Sequence, residues 1–344
     1  MTFPANALGT AEGPLPDTLV ADLTAEVREY GYRHEAQENG LSVEFDAAAI
    51  RLRLLGEGLE VAIGAADLAR IHEMREAVLF LFDQTAPQLS ERMVWSGDLP
   101  EGTLPPNFRT ARFVGRRKLS PNFLRVTLAA PGVSDFLAGG MHFRLAIPPR
   151  DRAPVWPQLG RAGRTVWPKG EDALHCPAYT TAEVDVGAGH LFFDVYLHEG
   201  GLATTWALQA EEGAVVGLAG PGGGTLPPGD FILLAGDETA LPAIRRILAA
   251  SPPVRRGHVL VELADPRDRM ELQLPDAMSI EWLQRGETPD IFERARAVTL
   301  PKPGESRFVW IAGERELARR ARLHFRDEGG VPAGESYIAA YWTR

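Results

Sequence analysis

The chain has 344 residues, 45% of them hydrophobic and 24% charged, a length and composition that predict about two to three soluble domains. A formal net charge of −10 argues against nucleic acid as a partner. The lack of any run of about 18 apolar residues argues against a membrane span, and residues 1–13 do not read as a secretory leader. One cysteine, Cys176, excludes an internal disulfide, a paired-cysteine zinc site and a four-cysteine iron–sulfur cluster, and fits a reducing cytoplasmic compartment.

Residues 1–100 hold 7 arginines against 17 carboxylates and so carry the whole imbalance, whereas residues 101–344 balance 29 cations with 29 carboxylates. That break predicts a separate acidic module over 1–100. Within 17–38, Leu19, Leu23, Val27 and Tyr30 recur at helical spacing, and Asn39-Gly40 ends the pattern. Leu41, Val43 and Phe45, then Ile50, Leu52 and Leu54, alternate with polar residues as strands do. Gly56 to Gly58 is a turn, and 59–63 returns as a third strand. Residues 66–85 put Leu68, Ile71, Val78 and Phe82 on one helical face. The module reads as a small α+β domain, with 100–106 as linker.

From Phe108 the pattern becomes strands. Residues 109–115 and 122–128 form hairpin arms across Ser120-Pro121, and 142–147 is a further strand. The proline- and glycine-rich stretch 148–170 is expected to be an exposed loop. Residues 178–186 and 190–197 pair across Gly187 to Gly189, 204–210 is a short helix, and 214–219 is a strand ending in Gly220-Pro221-Gly222-Gly223-Gly224. Many short strands with one helix predict an antiparallel β-barrel over 107–226. After Pro227-Pro228-Gly229, the apolar run 231–235 marks a strand buried on both faces. A helix at 239–250, strands at 258–264, 279–283 and 308–312, a helix at 315–328 and a strand at 337–342 alternate in the manner of an α/β parallel sheet of nucleotide-binding type over 230–344.

Several segments bear on chemistry. Tyr179-Thr180 opens a barrel strand, where its hydroxyls suit a flavin; two β-formers in a strand is the plainer reading. His198-Glu199-Gly200-Gly201-Leu202-Ala203-Thr204-Thr205 runs from strand through turn to helix. Its free helix-start amides and threonine hydroxyls suit a pyrophosphate, or the segment is a threonine-capped helix. Gly236-Asp237-Glu238-Thr239 follows the buried strand at the edge where α/β sheets bind ligands, and the same carboxylates also suit helix capping. Gly313-Glu314 sits at the same edge. The segment is not a GxGxxG fingerprint. Arg255, Arg256, Arg267 and Arg269 flank the second strand, either as a 2′-phosphate contact or as a solvated face. Cys176 has no evident activating base, and His72, His190 and His324 lack a second ligand at metal spacing, so no metal site is expected.

Together these segments resemble the siderophore-interacting proteins, flavin-dependent ferric-siderophore reductases related to ferredoxin–NADP reductases, over about residues 107–342. The resemblance is carried by Tyr179-Thr180, the strand 193–198 with 201–207, Gly220-Pro221-Gly222-Gly223, and the run Gly236-Asp237-Glu238-Thr239-Ala240-Leu241-Pro242-Ala243-Ile244. Trp310-Ile311-Ala312-Gly313-Glu314 and the closing Tyr341-Trp342 complete it. It implies FAD on the barrel and NAD(P)H on the parallel sheet, with a ferric siderophore as small-molecule substrate and iron(II) released in the cytoplasm. Thr180 would lie beside the reacting flavin nitrogen as the catalytic position. Tyr179, Thr180, His198, Gly200, Gly201, Ala203, Thr204, Thr205, Gly236, Asp237, Glu238, Thr239 and Trp342 would contact cofactors. The chain departs from the family's Arg-x-Tyr-Thr pattern: Pro177 and Ala182 stand where arginines are usual, and Leu202 where proline is. Loss of a bidentate phosphate partner leaves a second reading open, a degenerate flavin site on a non-catalytic siderophore- or partner-binding protein.

Overall fold

The computed structural model describes residues 3–29, 32–45, 47–56, 58–99 and 101–343. They form two compact units, Met1–Arg109 with Pro148–Leu174, and Thr110–Ile147 with His175–Arg344.

The first unit begins with β1 (Ala5–Glu12), α1 (Leu19–Glu29), β2 (Arg33–Gln37), β3 (Gly40–Phe45), β4 (Ala48–Leu55) and β5 (Gly58–Ala65). It continues with α2 (Leu68–Thr85), α3 (Pro87–Arg92) and β6 (Val94–Gly97). The strands make an antiparallel sheet in the order β2-β3-β4-β5-β1-β6. Leu59, Val61, Ile63 and Ala65 alternate inward from β5 and meet Ile71, Met74, Val78 and Phe82 of α2. Asp67 caps α2 by accepting from the Arg70 amide at 2.8 Å.

Two strands escape the period-2 reading. β1 turns only Ala5, Ala7 and Ala11 inward with Gly9, residues of low strand propensity. β2 is a polar edge strand, so the first helix ends at Glu29 rather than near Glu38, and Asn39 lies in the turn between β2 and β3. Tyr30 falls outside the described residues.

The second unit opens with β7 (Phe108–Ser120), whose first two residues belong to the first unit, then β8 (Phe123–Ala129) and β9 (His142–Ala146). The chain then returns to the first unit. The segment expected to be an exposed loop instead pairs β10 (Gln158–Leu159) with β11 (Thr165–Val166) and buries Leu159 in that unit's core. Thr165 explains the attachment: its amide donates to Glu76 Oε1 at 2.7 Å and its hydroxyl meets His72 Nε2 at 3.1 Å.

Back in the second unit come β12 (Ala178–Asp185), β13 (His190–Tyr196), α4 (Leu202–Gln209) and β14 (Val215–Gly222). The barrel closes in the order β12-β13-β8-β7-β14-β9. Its inside is filled by Phe113, Val126, Leu128, Phe143, Leu145, Leu191, Phe193 and Leu218, and Trp206 of α4 meets Phe113 edge-on.

The parallel sheet contains β15 (Phe231–Gly236), β16 (Arg256–Leu263), β17 (Ala277–Gln284), β18 (Arg307–Glu314) and β19 (Ser336–Trp342), in the order β17-β16-β15-β18-β19. α5 (Leu241–Ala249), α6 (Ile291–Arg296) and α7 (Arg315–Ala321) flank it; α6, capped by Asp290, adds to the elements expected from sequence, and α7 runs on as a π-helical stretch, Arg322–Glu328. Every residue of β15 is buried, as its unbroken apolar run requires. No helix among the described residues is long and apolar enough to cross a membrane.

Candidate functional site

The strand order reverses at β15, which pairs with β16 on one side and β18 on the other. An open parallel sheet binds ligands at the carboxyl ends of strands at such a point. The residues there are Gly236-Asp237-Glu238-Thr239. Gly236 has no room for a side chain: a Cβ would meet the Ala312 carbonyl at 2.6 Å.

Asp237 and Glu238 are 2% and 1% exposed, and both carboxylates turn inward. Asp237 Oδ1 accepts from the Thr239 amide (2.9 Å) and hydroxyl (2.5 Å). Its Oδ2 accepts from the Glu314 amide (3.0 Å) and Trp342 Nε1 (2.7 Å). Glu238 accepts from the Ala264 amide at 2.5 Å and from the guanidinium of Arg285. One acid therefore ties together the ends of β15, β18 and β19, and the other the ends of β16 and β17. Burial pushes the Glu238 carboxyl up, against the pull of the Ala264 amide and Arg285. The barrel reaches this edge at Tyr196, at the end of β13. Burial and the nearby Glu238 carboxylate push its phenol up to about 12.

On the barrel, β12 and β9 pair so that Thr180 faces His142, Tyr179 faces Phe143 and Ala178 faces Arg144. The Thr180 hydroxyl lies 3.2 Å from His142 Nδ1, and Tyr341 Oη lies 3.2 Å from His142 Nε2. Burial and the Arg246 charge bring the imidazole down to about 4, so it is neutral at physiological pH. The Tyr179 ring packs at 4.8 Å from Phe193 and 6.4 Å from Phe143, against the barrel core. Arg144 is exposed on β9 directly across from Ala178.

The third predicted segment is held by its own contacts. Thr204 Oγ1 accepts from the His198 amide at 3.2 Å, and Thr205 donates to the Gly201 carbonyl at 3.0 Å. Ala203 is buried at the start of α4, whose N-cap, Gly201, provides no side-chain cap. A Cβ on Gly201 would meet His198 Cε1 at 2.6 Å, and Gly200 takes φ +75° with open space beyond it. The first amides of α4 thus lie beside a turn that Gly200 leaves open on one side and the His198 ring borders on the other, a cradle that fits a flavin pyrophosphate.

β19 joins two of the three segments. Tyr341 reaches the barrel at His142, and its neighbour Trp342 reaches the sheet edge at Asp237. His142, Arg144, Tyr196 and Arg285 were not found from sequence; no motif marks them, because strand register and loop closure bring them there. Among the described residues no group of three metal-ligating side chains occurs.

A closed antiparallel barrel and a five-stranded parallel sheet, joined where Tyr341 of the last strand meets His142 beside Thr180, define a two-domain arrangement of a ligand-binding type of barrel with a nucleotide-binding type of sheet. The family model described as siderophore-interacting FAD-binding domain matches residues 112–225, and that described as siderophore-interacting protein matches 230–344. The ferric vibriobactin reductase ViuB of Vibrio cholerae is 30% identical over 244 residues, 69% of this chain and 89% of that protein. An NADPH-dependent ferric-chelate reductase of Escherichia coli is 30% identical over 248 residues, 68% of this chain and 92% of that one. The crystal structure of the siderophore-interacting protein SipS from Aeromonas hydrophila superposes with a TM-score of 0.59 at 26% identity, covering 69% of this chain and 92% of its own. The chain belongs to the siderophore-interacting protein family, and its barrel is that family's FAD-binding domain.

Proposed function

We propose that this protein is an FAD-dependent ferric-siderophore reductase that draws on NAD(P)H in the cytoplasm. The carrying observation is the end of β19, where adjacent aromatic residues touch the flavin-bearing barrel through His142 and the nucleotide-bearing sheet edge through Asp237. The names of the Vibrio and Escherichia relatives support the substrate class. Bound FAD supplies the conversion of a two-electron donor into one-electron steps, which side chains cannot provide.

The protein's share is positioning. The α4 amides and the Gly200-Gly201 turn receive the pyrophosphate. Thr180, fixed by His142, presents its hydroxyl toward the flavin edge. Asp237 and Glu238 keep the loops at the sheet edge in register, so that the backbone from Gly236 to Thr239 and the Trp342 ring meet the nicotinamide nucleotide. Arg144, two cross-strand pairs from Thr180–His142, takes over the phosphate-facing charge that Pro177 and Ala182 lack. Iron(III) is the substrate: one NAD(P)H reduces two ferric ions, giving NAD(P)⁺, a proton and two ferrous ions. Oxygen chelators hold iron(II) less tightly, so the metal is released.

The test is a titration of the purified chain with FAD, followed by NAD(P)H oxidation with a ferric siderophore as acceptor. Stoichiometric FAD uptake, absorption near about 450 nm and acceptor-dependent turnover are expected of a flavin-loaded enzyme. Arg144→Ser should weaken FAD binding about tenfold or more, the worth of a charge-assisted hydrogen bond. A chain that refuses FAD yet binds ferric siderophore would be the non-catalytic module that Pro177 and Ala182 leave open.

A further inference from the structure

The space between α1, α2 and the inner face of the first unit's sheet is a cavity of about 470 Å³. That size lies within the roughly 300–1,000 Å³ of small-molecule sites. Its deep wall is wholly apolar: Leu23 and Val27 of α1, Leu41 and Val61 of the sheet, and Phe82 of α2, each 5% exposed or less. Helix-on-sheet layers ordinarily close to crystal-like density, and a void this large forfeits packing that a small unit needs. Such a wall lacks the two to four polar partners an ordered water requires.

The mouth is apolar as well. Tyr32 and Phe80 line the cavity and stay 46% and 47% exposed, and the Tyr32 ring packs on Phe45 at 4.8 Å. Exposed aromatic side chains gathered at one opening mark a binding surface. Among the sixteen described lining residues, Tyr32 and Arg70 alone carry a side-chain nitrogen or oxygen. Arg70 is already engaged: its Nη1 holds Glu73 Oε2 at 2.7 Å, and it makes a further interaction besides. Its charge is met within the unit. A carboxylate or ammonium brought between the layers would lose its water and find no opposite charge, and an amide or hydroxyl there would go unpaired. We infer that the first unit binds one uncharged, hydrocarbon-like small molecule, held by apolar contact alone. This does not rest on the flavin reading.

The experiment uses the full chain, titrated with the uncharged fluorescent probe N-phenyl-1-naphthylamine. Saturable one-to-one binding is expected, displaced by cyclohexylbenzene and not by 4-cyclohexylbenzoate, which has the same body with a carboxylate added. Arg70→Gln should leave the affinity for the probe and for cyclohexylbenzene unchanged. Ala77→Trp places an indole in the cavity from α2 and should abolish binding while the circular dichroism stays native. Hydrogen exchange of the unsubstituted chain locates the site without any substitution: cyclohexylbenzene should slow the α1 and α2 amides and leave those of β8 and β13 as they were. No saturable binding, equal displacement by the carboxylate, exchange slowed in the barrel alone, or unaltered binding to folded Ala77→Trp overturns the proposal.

Discussion

Asp194→Ala should destabilise the barrel by about 3–5 kcal/mol, the usual loss when one member of a buried ion pair is removed. Asp194 on β13 faces Arg125 on β8 in register, both at most 7% exposed. Arg125 grips it with two nearly parallel bonds of 2.7 and 2.9 Å, and Arg245 of α5 adds a third at 3.0 Å. Without the carboxylate, two guanidiniums remain in a poorly solvated place; Glu183, 62% exposed and 3.5 Å from Arg125, is a weak substitute. The effect should extend beyond the barrel. α5 also carries Arg246, which donates to the carbonyls of Met141, Thr181 and Phe136, so this helix is bound to the strand that presents Thr180. Hydrogen exchange of the β8 and β13 amides is the suitable measurement, because a chain of two units need not unfold in one step. Protection should fall markedly in Asp194→Ala and hardly at all in Glu183→Ala, whose exposed pair contributes under about 1 kcal/mol. Equal protection in Asp194→Ala and the parent chain would show that the triad carries no net stability.

Elements with one dominant local signal were legible in the sequence, and those formed by long-range pairing were not. β15 announced itself because a strand covered on both faces must be apolar throughout, as 231–235 is. β1 could not, since its inward positions are alanine and glycine. Its strand character comes from lying between β5 and β6. The stretch 148–170 has loop composition, yet Leu159 joins the first unit's core and Thr165 is held by partners 89 and 93 residues away in sequence. The site divides along the same line. Thr180 and the 236–239 run could be singled out by residue type and order. That Thr180 is paired with His142 depends on barrel register, and that Asp237 and Glu238 point into the protein depends on which loops meet at the sheet edge. Residue type left ligand contact and helix capping open for these acids; their hydrogen bonds hold five strand ends together.

Stability should fall as pH drops from about 6.5 to about 4, in a part traceable to His142. Burial, assisted by the Arg246 charge, brings this imidazole from 6.5 to about 4. In the unfolded chain it protonates near its ordinary value, so between these limits the unfolded state binds the extra proton. The sign follows: the contribution is complete above pH 6.5, declines through the window, and is gone below pH 4, where both states are protonated. The loss is about 2 kcal/mol by pH 5 and about 3 kcal/mol by pH 4, at 1.36 kcal/mol per unit. His142→Gln keeps an amide between Thr180 and Tyr341 and removes the titration. Denaturant midpoints measured from pH 7.5 to 4.5 should therefore fall more steeply for the parent chain than for His142→Gln. The difference should open at pH 6.5 and not before. The same protonation would set a second positive charge beside Arg246 and convert the ring nitrogen facing Thr180 into an obligatory donor. Loosening of Tyr341 from the barrel should accompany the loss, read as a change in tyrosine near-ultraviolet circular dichroism with its midpoint near pH 4. Parallel pH curves for the two proteins would mean that His142 is solvated and that Thr180 is positioned by something else.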